Sequence, residues 1–258
     1  MSGAIGVFDS GLGGLTVLKS LMSALPNEDF VYLGDTARLP YGAKSPQTIQ
    51  LYLKQNIEFL KNYNVKAIVV ACNSASSVLK QESFTELPVW GVIEPGAMAA
   101  LRATKNKKVA VIGTRATISQ ASYVEALQRL DKNIEVFQQA CPLFVPIVEE
   151  GLYDDPLTNL IVYRYLNPLR TVDVDTLILG CTHYPLLKTP IKKVLPFVEL
   201  IDSSKVIAEQ LKAHFPQTEM EHTQKVEILC TDNTAQFQAM VNLVIGGDNF
   251  MAIQKVDI

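Results

Sequence analysis

The chain has 258 residues, 48% apolar and 19% charged, the balance of a folded globular protein rather than a disordered one. Its 26 acidic and 23 basic side chains leave a formal charge of −3, which argues against nucleic acid as the main partner, since a polyanion is held by a net basic face. No stretch approaches the roughly 18 unbroken apolar residues of a membrane helix, and no basic segment followed by an apolar signal core opens the chain, so no membrane partner is expected and the expected location is the cytoplasm.

Ala4 to Phe8 is a short apolar run that ends in Asp9-Ser10 and a loop containing Gly11, Gly13 and Gly14. Leu15, Leu18, Leu21 and Met22 then recur at spacings of three and four, which predicts a helix. Phe30 to Gly34 reads as a second strand, followed by a loop over 35–45 punctuated by Pro40 and Gly42. An amphipathic helix is expected over 46–63. Ala67 to Ala71 has the character of a fully buried strand and ends at Cys72-Asn73-Ser74, where Ser74, Ser76 and Ser77 suit the start of a helix. This alternation of strand and helix predicts a mostly parallel sheet.

The pattern then restarts. Lys105 to Lys108 is a basic run directly before an apolar stretch, and reads as a solvated turn. Val109 to Thr114 is the next strand, and Tyr123, Leu127 and Leu130 mark the helix after it. Thr176 to Gly180 is an apolar strand that ends at Cys181-Thr182-His183. A strand at Val226–Cys230 and a helix near Ala235–Val244 complete the reading. The interval from Asp9 to Cys72 nearly equals that from Thr114 to Cys181, a weak internal repeat. The fold class expected is therefore α/β, with two similar domains whose mostly parallel sheets face a shared cleft. Ligands bind at the carboxyl ends of such strands, and each half places a cysteine there. The boundary between halves is expected near Ile93-Glu94-Pro95-Gly96.

The four cysteines, Cys72, Cys141, Cys181 and Cys230, are sparse and widely spaced, without the clustering of a zinc site. Most single cysteines are small buried hydrophobes, and Cys141 and Cys230 fit that role. Cys72 and Cys181 differ in their neighbours: Asn73, Ser74, Thr182 and His183 are all polar. A thiol has a reference pKa of about 8.5, and a helix start or a nearby cation increases its thiolate fraction. His183 is placed to orient Cys181 or relay its proton. His214 and His222 lie in polar surroundings and read as surface residues without partners.

Several segments taken together resemble the glutamate racemase family. They are 6–14 (GVFDSGLGG), 33–38 (LGDTAR) with Pro40-Tyr41-Gly42, 71–76 (ACNSAS), 91–96 (GVIEPG), 112–118 (IGTRATI), 144–149 (FVPIVE) and 179–186 (LGCTHYPL). They span roughly residues 5–205 in the family's order, and the tail beyond about Glu219 matches less clearly. The resemblance implies an enzyme that converts L-glutamate to D-glutamate for peptidoglycan, with neither a cofactor nor a metal. It implies that Cys72 acts on the D-isomer and Cys181 on the L-isomer, with Asp9 supporting Cys72 and His183 supporting Cys181. Substrate contacts would come from Asp9, Ser10, Tyr41, Gly42, Asn73, Ser74, Thr114, Thr117, Glu149, Thr182 and His183. It further implies one domain over 1–94 and 207–258, a second over 95–206, and a homodimer in many members. Ser74 departs from the family's usual threonine, keeping the hydroxyl but losing a methyl contact. The motifs contain no evident arginine clamp, so backbone amides and hydroxyls are expected to hold the substrate's carboxylates.

Other readings compete residue by residue. Asp9 precedes a glycine turn, where an aspartate often caps backbone amides. A nucleotide loop starting at Gly11 would need glycine where Thr16 stands, and no GK[ST] follows; that disfavours a nucleotide-dependent oxidoreductase. A racemase for aspartate would share the two-base chemistry with a different pocket length. A two-lobed binding module without turnover would be marked by loss of either cysteine, and both are present.

Overall fold

The computed structural model describes residues 3–79, 86–215, 222–246 and 249–258. In chain order these form β1 (Ala4–Asp9), α1 (Leu15–Ala24), β2 (Phe30–Gly34), α2 (Pro46–Lys61), β3 (Val65–Val70), α3 (Asn73–Ser76), β4 (Val89–Gly91) and α4 (Ile93–Ala103). There follow β5 (Lys108–Gly113), α5 (Arg115–Ser119), α6 (Ser122–Leu130), β6 (Glu135–Ala140), α7 (Phe144–Glu149), α8 (Pro156–Leu166) and β7 (Thr176–Gly180). The chain ends with α9 (Lys188–Val194), β8 (Glu199–Asp202), α10 (Ser203–His214), β9 (Val226–Cys230), α11 (Ala235–Val244) and β10 (Ile253–Lys255).

Two sheets organise these elements. One has the order β10-β9-β2-β1-β3-β4 and the other β6-β5-β7-β8, and every described strand pairing is parallel. The run β2-β1-β3-β4 repeats as β6-β5-β7-β8, so the repeat seen in sequence is a repeat of topology. Each cysteine of interest follows the third strand of its half. The C-terminal strands β9 and β10 return to the first sheet, and α10 packs on α1. Residues 93–96 form no linker; they are the first turn of α4, which packs against α6, β7 and β8.

Local chemistry sets the helix starts. Ser45 Oγ accepts the Thr48 amide at the head of α2, with Pro46 in its first turn, where the missing N–H costs nothing. Ile49, Leu53, Ile57 and Leu60 form its buried stripe and cover one face of the first sheet beside Phe8, Leu33 and Val70. Leu15, Leu18 and Leu21 of α1, with Ile207 and Leu211 of α10, cover the other. Burying side chains of this size contributes about 1.5–3 kcal/mol each. The expected helix after Cys72 is only the single turn of α3, and residues 80–85 lie outside the described ones. His214 and His222 are exposed as expected but not partnerless: His222 Nε2 lies 2.9 Å from Asp29 Oδ1, and the His214 ring sits edge-on to Trp90 at 4.8 Å.

Candidate active site

The carboxyl ends of β1, β3, β5 and β7 converge on one cavity of about 160 Å³, close to the roughly 150 Å³ that accommodates a benzene. A small amino acid fits that scale. Cys72 enters from beyond β3 and Cys181 from beyond β7, and both line it. Ser10, Asn73 and Ser74 accompany Cys72 on the first-sheet side; Thr114, Glu149, Thr182 and His183 accompany Cys181 on the other. Tyr41 and Gly42 close one wall. Asp9 and Thr117 do not line the cavity. They stand one layer behind it, 0% and 2% exposed.

The two thiols have different surroundings. The Cys72 thiol donates to Ser10 Oγ at 3.4 Å. Burial first, and the Asp9 charge second, push it up to about 12, so at neutral pH it is a thiol and a proton donor. Cys181 Sγ lies 3.8 Å from His183 Nδ1, and His183 Nε2 lies 3.2 Å from Glu149 Oε1. Burial works against charge on this ring, but the hydrogen bonds and charges of Cys181 and Glu149 outweigh it and push His183 up to about 10. An imidazolium here sets positive charge beside Cys181 Sγ.

Asp9 takes the capping role read from its sequence position, and burial raises its carboxyl above the ordinary range. Its carboxylate accepts the Gly11 amide at 2.9 Å as a turn cap, and also the Thr182 hydroxyl at 3.3 Å from the opposite lobe. The glycines nearby serve close approach: a Cβ on Gly13 would fall 2.5 Å from His183 Nδ1, and one on Gly14 would fall 2.7 Å from Asp9 Cγ. Likewise a Cβ on Gly42 would fall 2.6 Å from Thr114 Cβ.

Hydroxyls and amides supply the remaining polar surface. Ser74 Oγ is 2.9 Å from Thr114 Oγ1 and 3.4 Å from Thr117 Oγ1, joining the two lobes. The Asn73 Nδ2 group is buried without a partner. Tyr41 contributes no hydroxyl to the cavity, because its phenol donates to Asp35, which also receives Arg38 Nε at 2.7 Å. Arg115 lines the cavity, a cation missed in the sequence although it stands inside the Thr114–Thr117 motif. Pro40, Pro142, Val145 and Pro146 add an apolar wall, for which the sequence carried no signal beyond the motifs themselves. Cys141 and Cys230 are fully buried in the cores. Among the described residues no cluster of His, Cys, Asp and Glu is arranged to hold a metal, and no helix is long and apolar enough to cross a membrane.

Two similar α/β lobes each bring one thiol to a common cavity, and sequence and structure both relate the chain to amino-acid racemases, which are isomerases. The relationship extends through the sequence. The chain belongs to the Asp/Glu/Hydantoin racemase family, whose pattern matches residues 5–211. It is 48% identical over 257 residues to a glutamate racemase of Sulfurihydrogenibium sp. (strain YO3AOP1), covering 98% of each chain. Among solved structures, a glutamate racemase isoform from Bacillus anthracis superposes with a TM-score of 0.93 at 38% identity, with 99% of this chain and 98% of that one covered. A glutamate racemase from Francisella tularensis subsp. tularensis SCHU S4 in complex with D-glutamate gives 0.89 at 38% identity, covering 98% and 97%.

Proposed function

We propose that the protein interconverts L- and D-glutamate by proton transfer between Cys72 and Cys181, without a cofactor. The observation that carries this reading is the presence of both thiols on the walls of one cavity, each at the end of a strand from a different sheet. Inversion at an α-carbon needs a base on one face and an acid on the other, in opposite protonation states. In the L to D direction the Cys181 thiolate removes the α-proton and becomes a thiol, leaving a carbanion. The Cys72 thiol delivers its proton to the opposite face and becomes a thiolate. The reverse reaction uses the exchanged states.

The surroundings support this assignment of roles. Cys72 is held protonated by burial and Asp9, and His183 with Glu149 places positive charge beside Cys181. Asn73 Nδ2, the Ser74 and Thr114 hydroxyls and Arg115 are the donors available for carboxylates, with Thr117 behind them bonded to both hydroxyls. We take 1–94 with 207–258 as one domain and 95–206 as the other, a division that the sheet memberships support. The family relationship also supports a role in supplying D-glutamate for peptidoglycan in the cytoplasm.

Circular dichroism of L-glutamate incubated with purified protein tests the activity: the signal should decay to zero as the racemate forms. In D₂O the product should carry deuterium at the α-carbon. Cys72→Ala and Cys181→Ala should each abolish racemisation in both directions while retaining the fold. Full turnover by either variant would remove the two-thiol mechanism, and a strong preference for L-aspartate would remove the substrate.

A further inference from the structure

Tyr123 is a buried phenol of the second lobe, near the start of α6. Its hydroxyl donates across the lobe interface to Asn73 Oδ1 at 2.7 Å. The ring has little freedom to move. A Cβ on Gly96 of α4 would fall 3.0 Å from its Cε1, and one on Gly180 would fall 3.4 Å from its Cε2. On the far side of this bond, Asn73 Nδ2 is buried with no partner, and Asn73 lines the cavity beside Cys72.

An amide side chain is nearly the same shape with its oxygen and nitrogen exchanged, so packing alone does not choose between the two orientations. A buried phenol does choose, because its proton must go to an acceptor. The geometry points to Tyr123 as a positioning residue that turns Asn73 so that its oxygen is occupied and its NH₂ faces the cavity as a donor to a substrate carboxylate. The opposite orientation would set a carbonyl oxygen against that carboxylate. Burial and the charges of Cys181 and Asp202 hold the phenol far above its ordinary range, so it remains a donor throughout the working pH range. This role rests on the racemase reading and adds a link from the second lobe to the first-lobe residue adjacent to Cys72.

The test is a double-mutant cycle on racemisation of L-glutamate, with Tyr123→Phe, Asn73→Ala and the pair. Tyr123→Phe should raise KM roughly tenfold, the scale of a lost hydrogen bond to a charged group, with kcat changed less than about threefold. In the Asn73→Ala background the same substitution should change KM less than about twofold, because nothing is left to orient. A merely structural tyrosine would cost the same in both backgrounds. Asn73→Asp supplies a second measurement in an otherwise unaltered pocket. Tyr123 would hold one oxygen and leave the other facing the substrate, so KM should rise further than in Asn73→Ala. An unchanged KM in Tyr123→Phe, an undiminished penalty in the Asn73→Ala background, or Asn73→Asp binding as well as Asn73→Ala would overturn the assignment. Absence of turnover by the unmodified protein would overturn the racemase reading and this role with it.

Discussion

Gly13→Ala tests how closely the two lobes must approach for the chemistry. The added Cβ would lie 2.5 Å from His183 Nδ1, 2.8 Å from His183 Cε1, and closer still to Thr182 Oγ1. Non-bonded contacts of this kind relax at about 3.5 Å, so the 182–183 segment must retreat by about 1 Å. Thr182 cannot turn aside cheaply, since its hydroxyl donates to Asp9, and His183 is held between Cys181 and Glu149. A misplacement of about 1 Å at reacting groups costs on the order of 100-fold in rate, and overpacking costs about 1–3 kcal/mol in stability. The assay is kcat for L-glutamate by circular dichroism, paired with thermal unfolding. Gly6→Ala is the control. The nearest atoms to its Cβ would be side-chain carbons of Ile68, Leu60 and Val65 at 3.3–3.4 Å, none of which lines the cavity, so it should lose a little stability and keep its kcat. A Gly13→Ala protein with unchanged melting temperature and kcat within about threefold of wild type would refute the claim that this glycine sets the lobe spacing.

Asp9→Asn removes the charge that adds to burial in raising Cys72, so the Cys72 titration should move down from about 12. Thiolate absorbance, assigned by comparison with Cys72→Ser, reads this directly, and an unmoved titration would separate Asp9 from Cys72. The His183 ring should remain imidazolium at pH 8 in the NMR spectrum, since its bonds to Cys181 and Glu149 hold it up to about 10. Glu149→Gln should move that titration down; a wild-type midpoint near the ordinary histidine value of about 6.5 would contradict the arrangement. Ser74→Ala removes the hydroxyl that joins Thr114 and Thr117, and at about 1 kcal/mol it should raise KM roughly fivefold with little change in kcat.

What the sequence made legible follows the sheets. The six strands evident as apolar runs, β1, β2, β3, β5, β7 and β9, are the interior strands of the two sheets. An interior parallel strand is buried on both faces and reads as a mostly apolar run. The four strands that were not evident, β4, β6, β8 and β10, are the four edges. Three of these edges have only three or four residues, and edges tolerate polar side chains, as in Glu135–Ala140, where no residue is fully buried. Cys72 and Cys181 stood out less by following interior strands at the ends where ligands bind than by lying in the motifs 71–76 and 179–186 that resemble the racemase family. Tyr41 was placed in the right loop, but its phenol turns away because buried Asp35 takes it. Tyr123 carried only a helix pattern, because its contact with Asn73 arises from the packing of one lobe against the other. Local spacing does not encode such a contact.

The duplicated topology and the unequal surroundings of the thiols bear on the same chemical demand. A repeated strand order delivers two like groups to one cavity from two different lobes, and inversion at a carbon requires a group on each of its faces. Equivalence alone would fail, since two thiols in the same protonation state would provide two bases or two acids. The flanking residues break the equivalence: Asp9 adds negative charge near Cys72, while His183 adds positive charge beside Cys181. On the proposed reading the two productive forms of the enzyme carry the same number of protons and differ only in which sulfur holds one. D- and L-glutamate have equal free energies in water, so kcat/KM must be the same in both directions at every pH. The asymmetry built around the thiols therefore acts on kcat and KM separately, in compensating amounts, and sets how much enzyme rests in the form ready for each isomer.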